Sequence, residues 1–174
     1  SAFALFGNMK EAKASMSAIL PDTDYCMEGG RKIPVIADVD LVVVGGGARA
    51  VAAASAAAKA GCSVFVTAYM PYLGDEICGS YLYERQKGEE PQTALGRRIF
   101  FGKDYPTPLH VKAVLEDELI DNNIQFLYSS YVTNVLVGSD KAPAGVVIAN
   151  RSGRQVVRCK AVIDATVEAS VAAM

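Results

Sequence analysis

Gly45, Gly47 and Ala50 stand at the spacing Gly-x-Gly-x-x-Ala, directly after the apolar run Leu41 to Val44. The chemistry of that spacing is the holding of a pyrophosphate. The first glycine permits a tight turn, the second lets the backbone approach the phosphates, and the small third residue lets the following helix lie close to the strand. Free N–H groups at the start of that helix then face the anion. Gly45, Gly46, Gly47, Ala48, Arg49 and Ala50 are therefore expected to form a dinucleotide cradle. Arg49 is either a cation beside the pyrophosphate or a solvent-facing helix residue.

The other reactive side chains say less, and catalytic residues stay unassigned. His110 is the single histidine, the one ordinary side chain that titrates near neutral pH, yet it falls in the first turn of a helix opened by Thr107-Pro108, where a capping or surface role is expected. Tyr69, Tyr72, Tyr81 and Tyr83 make an aromatic-rich loop that either covers a cofactor or fills space beneath the loop. The sequence has no Gly-x-Ser-x-Gly elbow for a hydrolase and no Gly-Lys-Thr phosphate loop for ATP. Redox chemistry remains, in which a bound cofactor carries the electrons and the protein holds and tunes it.

The elements that must position the cradle follow from hydrophobic period and punctuation. Leu41 to Val44 is a buried strand, Ala48 to Ala60 an alanine-rich helix closing at Gly61, and Ser63 to Thr67 a second strand. The loop Tyr69 to Gly79 follows at the carboxyl end of the sheet, where open α/β sheets bind ligands. Glu84 to Pro106 reads as polar, interrupted loop. Thr107 is an N-cap with proline behind it, and Val111, Val114, Leu115 and Leu119 recur at helical spacing until Asp121-Asn122-Asn123. Ile124 to Tyr128 is a strand; Tyr131 to Val137, Gly145 to Ala149 and Gln155 to Cys159 form a meander with a hairpin turn at Asn150 to Arg154. Ala161 to Thr166, nearly all apolar, is expected to enter a parallel sheet buried on both faces. Residues 1–37 form a lead-in, in which Met9 to Leu20 has the pattern of a short amphipathic helix, and residues 38–174 form the dinucleotide-binding domain.

Composition agrees with small-molecule chemistry. The 174 residues are half hydrophobic and carry a net charge of -2 with both signs mixed along the chain, which gives no case for nucleic acid or an anionic membrane as partner. No apolar run approaches the ~20 residues that span a bilayer, so a soluble protein is expected. Cys26, Cys62, Cys78 and Cys159 are widely spaced, without the pattern of a zinc site or disulfide framework, and free thiols and no metal are expected. The chain opens on Ser1 rather than methionine, so a removed leader or tag fits. The cytoplasm is slightly favoured over a secreted or periplasmic location.

The order of these pieces resembles the FAD-dependent oxidoreductases of the glutathione-reductase-like fold, and most of all the bacterial FAD-dependent oxidoreductase family. The segments that carry the resemblance are Asp38 to Gly47, Pro71 to Gly74, Thr107 to Lys112, Asn150 to Arg154 and Val162 to Thr166, spread over about residues 35–174. It implies a Rossmann-like α/β FAD-binding domain, a parallel sheet with an inserted antiparallel meander. It also implies FAD with its pyrophosphate at the glycine turn, adenine near Val132, and Thr166 close to the cofactor. Relatives are commonly longer, so the chain resembles the amino-terminal portion of an enzyme whose remainder is further sequence, a second chain or another copy in a homo-oligomer. A small-molecule substrate and hydride transfer to flavin N5 are implied with it.

Three departures from the family pattern stand out. Ala68 occupies the position where an acid usually binds ribose hydroxyls, with Asp75 and Glu76 as the carboxylates further along the loop. Val167 stands where glycine is usual, and a Cβ there crowds a close cofactor. Ala48-Arg49 replaces the usual small pair within the motif. Cys78 lies where disulfide reductases of this broad fold carry a redox cysteine, but the partner position five residues on is Tyr83, so dithiol chemistry is not expected. The departures keep open a cofactor-less scaffold or subunit derived from this fold. An NAD-dependent dehydrogenase is a further alternative, which the meander suits less well.

Overall fold

The computed structural model describes residues 18–19, 26–27, 32–81, 88, 90–101, 105–139 and 141–174. The chain divides into two units, Ser1–Ile33 and Pro34–Met174. In the first, β1 (Ala18–Ile19) pairs antiparallel with β2 (Cys26–Met27). Residues 18–19, at the end of the stretch expected to be helical, are thus extended; residues 9–17 lie outside the described residues, as does Tyr83.

The second unit is built on β4 (Leu41–Val44), whose four side chains are all buried. Alternate residues of a strand face opposite sides of the sheet, and both sides are covered here. Leu41 and Val43 join a core with Val66, Ala50, Val51, Val111 and Leu115. Val42 and Val44 join another with Phe65, Val146, Ile148 and Val157. The result is three layers, helices over a parallel sheet over a meander sheet, and the strand's unbroken apolar run is what a central strand between two layers requires.

The parallel sheet has the order β10-β4-β5-β6, with β5 at Val64–Thr67, β6 at Gln125–Leu127 and β10 at Ala161–Asp164. Helix α1 (Ala48–Lys59) returns the chain from β4 to β5, its alanines letting it lie close, with Ala50 and Ala54 fully buried. Short α2 (Asp75–Cys78), α3 (Ala94–Phe100) and α4 (Pro108–Asp121) precede β6. The Thr107 side chain accepts from the His110 N–H at 3.3 Å, the expected cap, and α4 ends at Asn122 with Asn123 in the left-handed region at φ 54°. α3 lies inside the segment expected to be loop. Its N-cap Thr93 accepts from the Gly96 N–H at 2.9 Å, and Ile99 is its single buried side chain, too little periodicity to announce a helix.

The meander consists of β7 (Tyr131–Val137), β8 (Pro143–Asn150) and β9 (Gly153–Arg158), antiparallel in sequence, with β3 (Val35–Asp38) parallel to β9 at the edge. The hairpin turn is as expected: Asn150 Oδ1 accepts from the Ser152 N–H at 2.9 Å, and Gly153 takes φ +95°. β10 corrects the expectation of burial on both faces. It is the edge strand of the parallel sheet, and Ile163 is 38% exposed. Val162 packs toward the meander.

The amino ends of the central strands are tied together by Asp40. Its carboxylate accepts from the Ser63 N–H at 2.9 Å and the Ser63 hydroxyl at 2.7 Å, and pairs with Lys160 at 2.6 Å. Hydrogen bonds from Lys160 and Ser63 hold its carboxyl well below the usual range. This clamp fixes β4, β5 and β10 at one end, leaving their other ends to form the site.

Candidate functional site

The carboxyl ends of β4, β5 and β10 converge on the glycine turn. Gly45 lies at φ +135° and donates its N–H to Thr67 O at 2.9 Å; a Cβ there would meet the Ala165 carbonyl oxygen at 3.0 Å, so glycine is required by both conformation and space. A Cβ on Gly46 would lie 2.9 Å from the Ala68 Cβ. On Gly47 it would run into the Glu76 carboxylate. The loop after β5 is tied back over this turn by a bond from the Gly74 N–H to Gly46 O at 2.7 Å.

Two adjoining clefts open here. The larger holds about 260 Å³ and is lined by Gly45, Thr67, Tyr69, Ser130, Tyr131, Val132, Thr166 and Glu168. It sits at the seam between the two sheets, with the Tyr69 and Tyr131 rings 6.1 Å apart on one wall. The smaller, about 20 Å³, is lined by Gly45, Gly46, Gly47, Arg49, Asp75, Glu76, Thr166, Val167 and Glu168. Helix α1 points its N-terminus into it. Gly47 gives no side-chain cap, and the Ala48 N–H donates instead to Glu76 Oε1 at 2.5 Å.

The carboxylates around the turn are unequally served. Asp75 Oδ2 accepts from the Tyr69 hydroxyl at 2.6 Å, but Asp75 Oδ1 and Glu76 Oε2 are buried with no hydrogen-bond partner among the described residues. Burial raises the Glu76 pKa, the Ala48 N–H opposes that rise, and the Asp75 charge adds to it. Tyr69 is pushed up to about 12, chiefly by its bond to Asp75, so it is a protonated donor at neutral pH.

Asp164 shapes the wall contributed by the loop after β10. Oδ1 accepts from the Thr166 N–H at 3.0 Å and hydroxyl at 2.6 Å, and Oδ2 from the N–H groups of Val171 at 2.8 Å and Ala172 at 2.9 Å. Burial would raise its pKa, but these bonds outweigh that and hold the carboxyl below its ordinary value. One buried-end carboxylate thus folds the loop that carries Thr166, Val167 and Glu168.

Of the residues expected from sequence, Gly45, Gly46, Gly47, Arg49, Val132 and Thr166 line the clefts, and Ala48 presents its N–H. Ala50 is buried in the helix-side core, and Ala68 is 1% exposed beneath Gly46; neither lines a cleft. Val167 is 67% exposed at the rim of the smaller cleft. Cys78 is buried on the helical side, its Sγ 3.6 Å from Pro108 O, and burial pushes the thiol pKa up, which makes it a poor nucleophile. His110 also lies on the helical side, its Nε2 2.9 Å from Arg98 O. The Tyr72 ring packs on the helix-side core under the Lys112 ammonium, 3.8 Å from the ring centre, so it fills space below the loop. Sequence reasoning did not find Ser130, Tyr131 or the role of Asp164, whose places depend on the closure of two sheets. The Glu76 carboxylate lies at the N-terminus of α1, and Glu168 reaches the larger cleft.

The model of the FAD dependent oxidoreductase family matches residues 79–174, more than half of the chain. The chain belongs to that family. FAD is the cofactor, and the α/β fold is shared with solved structures. THI4 of Thermovibrio ammonificans is similar at a TM-score of 0.54 and 16% identity, over 78% of this chain and 60% of that one. L-proline dehydrogenase from P. horikoshii gives 0.53 and 19%, over 80% and 24%, and a 3-ketosteroid-delta4-(5alpha)-dehydrogenase from Rhodococcus jostii RHA1 gives 0.52 and 14%, over 75% and 46%. At such identities the likeness is one of fold. The chain spans three-fifths or less of these proteins. No curated protein matches it in sequence. Among the described residues no helix is long and apolar enough to cross a membrane, and none form a metal-binding cluster.

Proposed function

We propose that residues 38–174 are the FAD-binding part of a flavin-dependent oxidoreductase, in which hydride passes between a small-molecule substrate and flavin N5. The observation that carries this reading is the adjacency of the two clefts: the glycine turn at a helix N-terminus adjoins a space of about 260 Å³ between the sheets, with Gly45, Tyr69, Thr166 and Glu168 lining both. The glycine turn fits the group, since Gly47 puts no side-chain cap on the N-terminus of α1. The backbones of Gly45, Gly46, Gly47 and Ala48, with Arg49, would hold the pyrophosphate. Adenine would lie against Val132 and Tyr131, and the ribose beside Thr166 and Glu168, the latter supplying a carboxylate where Ala68 has none. The flavin, when bound, supplies a two-electron acceptor; the chain's own residues bind and orient the adenosine half. The substrate site belongs to the rest of the enzyme, as further sequence, a second chain or a homo-oligomer partner.

A visible spectrum tests this reading. Purified protein, or protein reconstituted with FAD, should show bands near ~370 and ~450 nm. Colourless protein that takes up no FAD would favour the scaffold alternative, and nicotinamide released on denaturation would favour an NAD-dependent dehydrogenase.

A further inference from the structure

The Glu76 carboxylate lies where an anionic ligand of the glycine turn would lie. It comes from α2, accepts the Ala48 N–H at 2.5 Å, and stands against the face of Gly47 that a Cβ would fill. Its second oxygen is buried and without a partner among the described residues, as is Asp75 Oδ1 beside it. Burying an unpaired carboxylate oxygen costs free energy. What offsets that cost is the positive end of a twelve-residue helix and one charge-assisted hydrogen bond. A pyrophosphate would take up both of those interactions. The small cleft beside Glu76 leaves about 20 Å³, room for a water by the ~10–15 Å³ that one needs on this measure. While Glu76 accepts the Ala48 N–H, that donor is not open to a phosphate.

We propose that Glu76 is an internal plug of the phosphate site: it caps α1 and must swing off the Ala48 N–H before a dinucleotide's phosphates bind. The inference rests on the FAD-binding reading above. The device is local, because Glu76 sits on a single-turn helix entered through Gly74 at φ +81°. It acts on the phosphate half of the ligand and not on the adenosine half, since Glu76 does not line the larger cleft. Arg49 and Glu168 face the same small cleft from α1 and from the loop after β10, and Asp75 from α2. Three carboxylates against one guanidinium make displacement of the nearest carboxylate the step that lets a second anion in.

Calorimetric titration with FAD, ADP and adenosine tests the plug in the wild-type protein, Glu76→Gln and Glu76→Ala. The glutamine variant keeps the shape of the side chain and removes its charge, so it guards against a folding defect in the alanine variant. Both variants should bind FAD and ADP about tenfold more tightly, the scale of a charge at a helix N-terminus together with its hydrogen bond, with adenosine affinity unchanged. In the ligand-free protein the Ala48 amide resonance should follow the Glu76 titration and lose that dependence in Glu76→Gln. Wild-type binding of FAD with unchanged or weaker affinity in both variants would overturn the plug alone. Wild-type protein that binds none of the three probes would overturn the FAD-binding reading, and the plug with it.

Discussion

Gly45 is the residue at which backbone conformation and site chemistry meet. Its φ of +135° and the Ala165 carbonyl 3.0 Å from a would-be Cβ leave no unstrained place for alanine. Gly45→Ala should cost about 1–3 kcal/mol of stability, read as a lowered midpoint in urea, and should weaken FAD binding because the turn itself must shift. Glu118 is the corresponding residue on the far side of α1. It is 6% exposed and accepts from Ser55 at 2.5 Å and Lys59 at 2.7 Å, with Arg98 also paired to it, so it clamps α1, α3 and α4 together. Burial would raise its pKa, but the Lys59 and Ser55 bonds and the Lys59 and Arg98 charges hold it below the ordinary value of 4.5. A carboxyl lowered on folding stabilises fully above its unfolded pKa and loses that contribution as pH falls through its folded value. Glu118→Gln should therefore lower stability at pH 7 by about 2 kcal/mol and flatten the loss of stability below pH 4.5, measured by urea titrations across that range. Lys59→Ala, whose side chain is 62% exposed, should cost less than about 1 kcal/mol.

Among the elements, the loop after β10 depends most on one side chain. Asp164→Ala removes the acceptor for four hydrogen bonds, two from Thr166 and two from the Val171 and Ala172 amides. Faster hydrogen exchange at Val171 and Ala172 and weaker binding of adenosine are expected, with exchange in α4 unchanged. Unchanged protection would show that the loop is held by something else. What the sequence revealed about elements follows from where their energetics reside. β4, α1, α4 and the β8–β9 turn announce themselves because their stabilising features are local: an unbroken valine run, alanines before Gly61, a Thr-Pro cap, an Asn-x-x-Gly turn. α3 does not, because one buried isoleucine carries no period. The edge position of β10 does not either, since hydrophobicity records how apolar a strand is and not which neighbours it has. Glu76 and Glu118 were illegible as contacts because their partners lie 28 and 63 residues away.

Across the whole second unit, the site is a consequence of layering. The meander sheet closes against the Val42 and Val44 face of the parallel sheet, and the larger cleft is the gap left where the two sheets part near Thr67 and Val132. The family match begins at residue 79, after the strand, turn, helix and strand around Gly45 to Gly47. That unit is recognisable instead by its glycine spacing and its fold. It also holds Ala68 beneath Gly46 and Glu76 against Gly47. Hydrogen exchange of the protein with and without FAD tests the placement of the site most directly. Added FAD should slow exchange at Gly45 to Ala50, at Tyr131 and Val132 and at Thr166 to Glu168, and leave Leu109 and His110 unchanged; no slowing at the glycine turn, or slowing confined to the helical side, would contradict it.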